Sequence, residues 1–65
     1  MSLETIKTIE SEHLPLTKVF VLESESGKRY INFDDNGMPY SASEATEFVS
    51  MITEAIKYAR KETNA

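Results

Sequence analysis

Apolar positions follow two different rhythms along this chain. Between Ser41 and Lys61, in SASEATEFVSMITEAIKYARK, residues Ala45, Phe48, Val49, Ile52, Ala55, Ile56 and Ala59 recur at intervals of three and four. At about 100° per residue they share one stripe, the pattern of a helix with one buried face. Ser41 and Glu44 have capping-box spacing. The serine hydroxyl can accept from the amide three residues on, and the glutamate can accept from the amide of Ser41. Charge follows the helix dipole, with Glu44 and Glu47 early and Lys57, Arg60 and Lys61 late. The sequence predicts one long helix over residues 42–61, with Glu62 to Ala65 frayed.

Further upstream the rhythm shortens. Lys18–Ser24 and Lys28–Asp34 read as a β-hairpin closed by Ser26-Gly27 as a two-residue turn. That register pairs Leu22 with Ile31 and Phe20 with Phe33. It predicts Phe20, Leu22, Ile31 and Phe33 as the face against the helix. Val19, Val21, Glu23, Tyr30 and Asn32 then fall on the opposite face. Asp35 to Met38 form a second turn centred on Asn36-Gly37. Met38-Pro39-Tyr40 follows as a short third strand, placed at an edge because Pro39 cannot donate to a ladder.

Residues 1–13 carry a mixed signal. Leu3, Ile6 and Ile9 step by three, as on a helix, but Thr5, Ile6, Thr8 and Ile9 are β-branched, as in a strand. Strict alternation would send Ile6 and Ile9 to opposite faces. The reading favours a short helix capped by Ser2, with an edge strand as the alternative. His13 to Leu16 form a connector in which Pro15 breaks any helix, and Leu14 and Leu16 tuck under the edge. The expected fold is α+β. A three-stranded antiparallel meander packs against one long C-terminal helix, with a short N-terminal helix (or edge strand), in one small domain, residues 1–65.

Composition narrows the function classes. A 65-residue chain buries only about 60% of the surface its unfolded form exposes, so it gains from a partner subunit. Cysteine is absent, which excludes disulfides and thiolate metal sites, and His13 is the single histidine. Net charge is −4. Residues 1–47 hold nine acids and four bases, while residues 48–65 hold two acids and three bases. Broad phosphate or anionic-membrane binding needs the opposite balance. No apolar run approaches the ~18 residues of a membrane span. Met1-Ser2-Leu3-Glu4 shows neither region of a signal peptide. A cytoplasmic protein without membrane contact is the expectation.

Candidate chemistry is sparse. Asn32-Phe33-Asp34-Asp35-Asn36-Gly37 matches the opening of an EF-hand loop, but the position of its closing glutamate falls on Ser43. A hairpin turn accounts for the same residues. His13 lacks visible partners for general-base work. Gly27 and Gly37 are the only glycines, so no phosphate-cradling loop is present. Neither enzymatic activity nor a metal or cofactor is expected.

The predicted helix–strand–strand–strand–helix layout, over residues 3–61, is similar to that of double-stranded-RNA-binding domains. That family opens its last helix with a lysine cluster on the phosphates. Here the same place reads Ser43-Glu44-Ala45-Thr46-Glu47, so the charge is reversed. Nucleic-acid binding through Lys57, Arg60 and Lys61 is the disfavoured reading. In size, charge and architecture the chain is also similar to inhibitors encoded by phages and mobile elements, including some anti-CRISPR proteins, that block nucleic-acid-handling enzymes. The leading expectation, from the small size, the missing catalytic motifs and the spare apolar residues, is a small acidic protein-binding module, non-enzymatic and homodimeric; the likeness implies that it acts as an inhibitor. Glu23, Glu25, Asp34 and Asp35 would form an acidic contact surface standing in for phosphates. The apolar residues left outside the expected core, Val19, Val21, Tyr30, Met38, Tyr40, Met51 and Tyr58, form the candidate protein interface. A structural or accessory homo-oligomer is the alternative.

Overall fold

In the computed structural model, residues 2–35 and 37–63 are described, the last three as backbone only. Strands β1 (Leu3–Ser11), β2 (Leu14–Ser24) and β3 (Arg29–Asp34) form one antiparallel sheet in the order β1-β2-β3. Helix α1 (Ala42–Thr63) lies across one face of it. The α+β architecture agrees with the sequence reading, but the third strand is the N-terminal segment, not Met38-Pro39-Tyr40. Residues 38–40 belong to the β3–α1 connection.

A bulge resolves the mixed N-terminal signal. Thr5 pairs with Leu22 and Lys7 with Val21, so Ile6 is an extra residue on β1. The inserted step lets Ile6 and Ile9 serve the same side. Ile9 is buried and Ile6 packs against the same cluster. Residues 3–11 are therefore a strand and not a capped helix, and the layout shared with RNA-binding domains does not hold. The β1–β2 turn is Glu12-His13, where the His13 amide donates to Ser11 Oγ at 3.1 Å. Pro15 falls where the β1–β2 register is interrupted, between the Ser11–Leu14 and Glu10–Lys18 pairs.

The β2–β3 hairpin closes one residue differently from the sequence reading. The Gly27 amide donates to the Ser24 carbonyl at 3.0 Å, and the Ser24 amide donates to the Lys28 carbonyl at 2.9 Å. Glu25, Ser26 and Gly27 thus make a three-residue loop, with Gly27 at φ 90°. Val21 then pairs with Ile31, and Val19 with Phe33. A one-residue slip turns every side chain of a strand over. Val19 and Val21, expected outside, are wholly buried under the helix, while Phe20 and Leu22 lie on the far face. Ile31 and Phe33 remain on the helix side. A Cβ on Gly27 would meet no neighbour within 4 Å, so Gly27→Ala tests the backbone alone. It is expected to cost about 1–2 kcal/mol, read as a lower urea midpoint, because the left-handed conformation disfavours a side chain.

Ile9, Leu14, Val19, Val21, Met51 and Ala55 form the buried cluster, edged by Ile31, Tyr40, Phe48, Ile52, Tyr58 and Ala59. Helix α1 starts as the sequence implies. The Ser41 amide donates to Glu44 Oε1 at 2.9 Å and the Glu44 amide to Ser41 Oγ at 3.2 Å, a reciprocal capping box. The helix continues through Glu62 and Thr63, beyond the expected end. Residues 64 and 65 lie outside the described residues, as does Asn36 of the second expected turn. In that turn the Gly37 amide donates to Asp35 Oδ1 at 3.0 Å, with Gly37 at φ 76°.

Candidate functional site

The sheet has two faces and the helix covers one. Pairing places the residues of the other face in rows across the three strands. Thr5, Leu22 and Tyr30 form one row, and Thr8, Phe20 and Asn32 the next. Glu10, Lys18 and Asp34 close one end, and Leu3 beside Ser24 closes the other. The centre is an apolar island. Phe20 and Leu22 are half-buried, while Leu3 and Tyr30 are 52% and 42% exposed. Its margin is polar: Lys28 Nζ stands 5.6 Å from the Tyr30 ring centroid, and Lys18 Nζ lies 3.8 Å from Glu10 Oε2. A hydrophobic centre inside a polar rim is the anatomy of a protein-contact surface.

The residues expected to form an interface are dispersed: the altered register turns Val19 and Val21 inward, and Met51 lies on the buried side of the helix instead of off it. Val19, Val21 and Met51 are core residues and cannot touch a partner. Tyr40 is half-buried, with its hydroxyl 2.7 Å from Thr17 Oγ1 and its ring 5.3 Å from that of Phe48. This bond satisfies Thr17, a buried polar residue. Tyr58 is half-buried where the helix end meets the sheet, with Lys7 and Arg29 each within 6 Å of its ring centroid. Tyr30 and Met38 are exposed, but in different places. Tyr30 is on the outer face; Met38 lines a shallow cleft of about 260 Å³ with Leu16, Pro15, Pro39 and Tyr40. The strongest members of the outer face are Phe20 and Leu22, which the two-residue turn predicts in the core.

The four acidic candidates do not form one row. Glu23 faces the helix side and is bound by Arg29, whose Nε donates to Glu23 Oε2 at 3.0 Å. Glu25 is in the hairpin loop beside it. Asp34 and Asp35 are at the other end of β3, roughly 17 Å away at about 3.3 Å per residue. Asp35 is also engaged by the Gly37 amide. A continuous phosphate-like track along this hairpin is therefore absent among the described residues.

Lys57 and Arg60 are exposed near the helix end, and the Lys61 side chain lies outside the described residues. His13 is exposed at the β1–β2 turn and borders the cleft beside Glu44. Among the described residues no group of three or more His, Asp or Glu is placed to hold a metal ion. Among them, too, no helix is long and apolar enough to cross a membrane. Comparison with protein-family models, with curated proteins and with solved structures finds no match to this chain.

Proposed function

We propose that this chain is a non-enzymatic, homodimeric protein-binding module that acts by occupying a surface of another protein. The observation that carries this reading is the outer sheet face. Phe20, Leu22, Tyr30 and Leu3 are grouped there with no layer of the fold above them. On so small a chain, an aromatic and aliphatic island is costly to leave in water and is a natural contact for a partner. The net charge of −4 favours a partner whose own apolar patch is rimmed by bases. Such a module serves as an inhibitor or regulator, of the kind that phages and mobile elements carry.

The test is comparative capture from host lysate with tagged chain. A partner held by the wild type should be lost with Leu22→Asp and retained by Thr53→Asp, on the exposed side of the helix. Tyr30→Ala should weaken it about tenfold or more, as for a tyrosine at the centre of an interface. Circular dichroism confirms that each variant is folded. Retention of the partner by Leu22→Asp overturns this reading. Loss of the partner at moderate salt in the wild type assigns the contact to the acidic groups instead.

A further inference from the structure

The apolar arc of α1 is wider than the sheet beneath it. Glu47 marks the β1 side of the helix, where Ser11 Oγ donates to Glu47 Oε2 at 2.6 Å. Phe48 marks the β3 side, with its ring 5.3 Å from that of Phe33. Continuing in that direction, Ile52, Ile56 and Val49 lie about 40°, 80° and 100° beyond Phe48 at 100° per residue. These angles put them on the β3 side of the helix, with Ile52 still packed against the buried cluster. Val49 is 61% exposed, Ile56 39% and Phe33 below them 48%.

The edge itself is set for pairing. Ser24 and Lys28 are a hydrogen-bonded pair, and alternation then turns the amides of Tyr30, Asn32 and Asp34 toward β2. Those of Arg29, Ile31 and Phe33 point outward. The outward direction is visible at Phe33, whose amide donates to the side-chain carbonyl of Asn32 at 2.9 Å. Charge along this edge is polar in sequence: Lys28-Arg29 opens it and Asp34-Asp35 closes it. A parallel copy would set like charges side by side. An antiparallel copy centred on Ile31 sets Lys28 of each chain opposite Asp34 of the other, on the outer face. It also aligns the outward amides Arg29 with Phe33 and Ile31 with Ile31.

We propose that two copies of this chain join antiparallel through β3, forming a six-stranded sheet whose seam is covered by Val49, Ile52 and Ile56 of both helices. The inference rests on the dimeric reading above and names its surface. The dimer is isologous and uses one edge of each sheet, leaving the outer island available. Pairing displaces the Asn32 side chain from the Phe33 amide. The same side chain guards the edge in a single copy.

Sedimentation of the full chain over a concentration series tests this. The wild type should dimerise, and Ile56→Glu should abolish the dimer while helix content is retained. Lys28→Glu and Asp34→Lys should each weaken it about tenfold, through two symmetric cross-strand pairs. The double variant restores opposite charges and should recover most of the loss. Leu22→Asp should leave the dimer intact. A wild type that is monomeric throughout overturns the dimeric reading itself. A dimer that is broken by Leu22→Asp, or is indifferent to both Ile56→Glu and the charge reversals, overturns the β3 seam alone.

Discussion

Val21→Asp is expected to unfold the chain, whereas Leu22→Asp, one residue further, leaves it folded. Val21 is fully buried in the cluster under the helix. Its burial contributes roughly 2 kcal/mol. A carboxyl group buried there costs about 2–7 kcal/mol more, while Lys7, opposite on β1, keeps its ammonium over the Tyr58 ring. Domains of this size have a total stability of about 3–10 kcal/mol, so the substitution consumes most or all of it. Leu22 is half-buried on the outer face, and a charge there keeps its water at a cost of about 1 kcal/mol. Far-ultraviolet circular dichroism and urea unfolding distinguish the two. A cooperative transition in Val21→Asp, together with none in Leu22→Asp, would place β2 in the other register.

The second large effect is at Arg29, which joins the helix end to the sheet. Its side chain is 13% exposed. Nε donates to Glu23, Nη1 donates to the Ala59 carbonyl at 3.4 Å, and the guanidinium lies over the Tyr58 ring. Arg29→Ala removes these contacts and leaves Glu23 directly opposite Glu4 with the base gone. The expected loss is about 2 kcal/mol, from charged hydrogen bonds and from packing of the side-chain stem. Arg29→Lys should recover little, because one ammonium cannot serve a carboxylate and a carbonyl through two fixed nitrogens. Adding Glu23→Gln to Arg29→Ala should recover part of the loss, since it removes the stranded charge. Urea midpoints over the double-mutant cycle measure this. Strict additivity of Arg29→Ala and Glu23→Gln would remove the pair from any stabilising role.

These two sites also mark the limit of what was legible in the sequence. The helix and its start were, because its period and its Ser41–Glu44 box point to the same place, but its buried face was not: Met51, expected outside, is buried, while Val49 and Ile56, expected inside, are exposed. The existence of β2 and β3 was also legible, but their register was not. Val19-Phe20-Val21-Leu22 is apolar at every position, so alternation carries no information about which face is inward. The assignment then rested on loop length alone, and a three-residue loop ending in Gly27 looks much like a two-residue one. That single residue exchanged Val19 and Val21 for Phe20 and Leu22 and so took two members of the candidate interface into the core. At the N-terminus, the bulge at Ile6 erased the alternation that would have identified a strand. Tyr40 and Tyr58 read as surplus aromatics because their partners, Thr17 and Arg29, come from distant parts of the chain.

The four-residue apolar run of β2 has one more consequence. A nascent ribbon that closes one notch early would hide Phe20 and Leu22 under the helix and still conceal comparable grease. Grease alone therefore does not tell the correct ribbon from its inside-out twin. What tells them apart is polar: the twin sets Arg29 across from Ser24, out of line with Glu23. The Glu23–Arg29 bond is thus a contact that the native ribbon makes and its inside-out twin cannot.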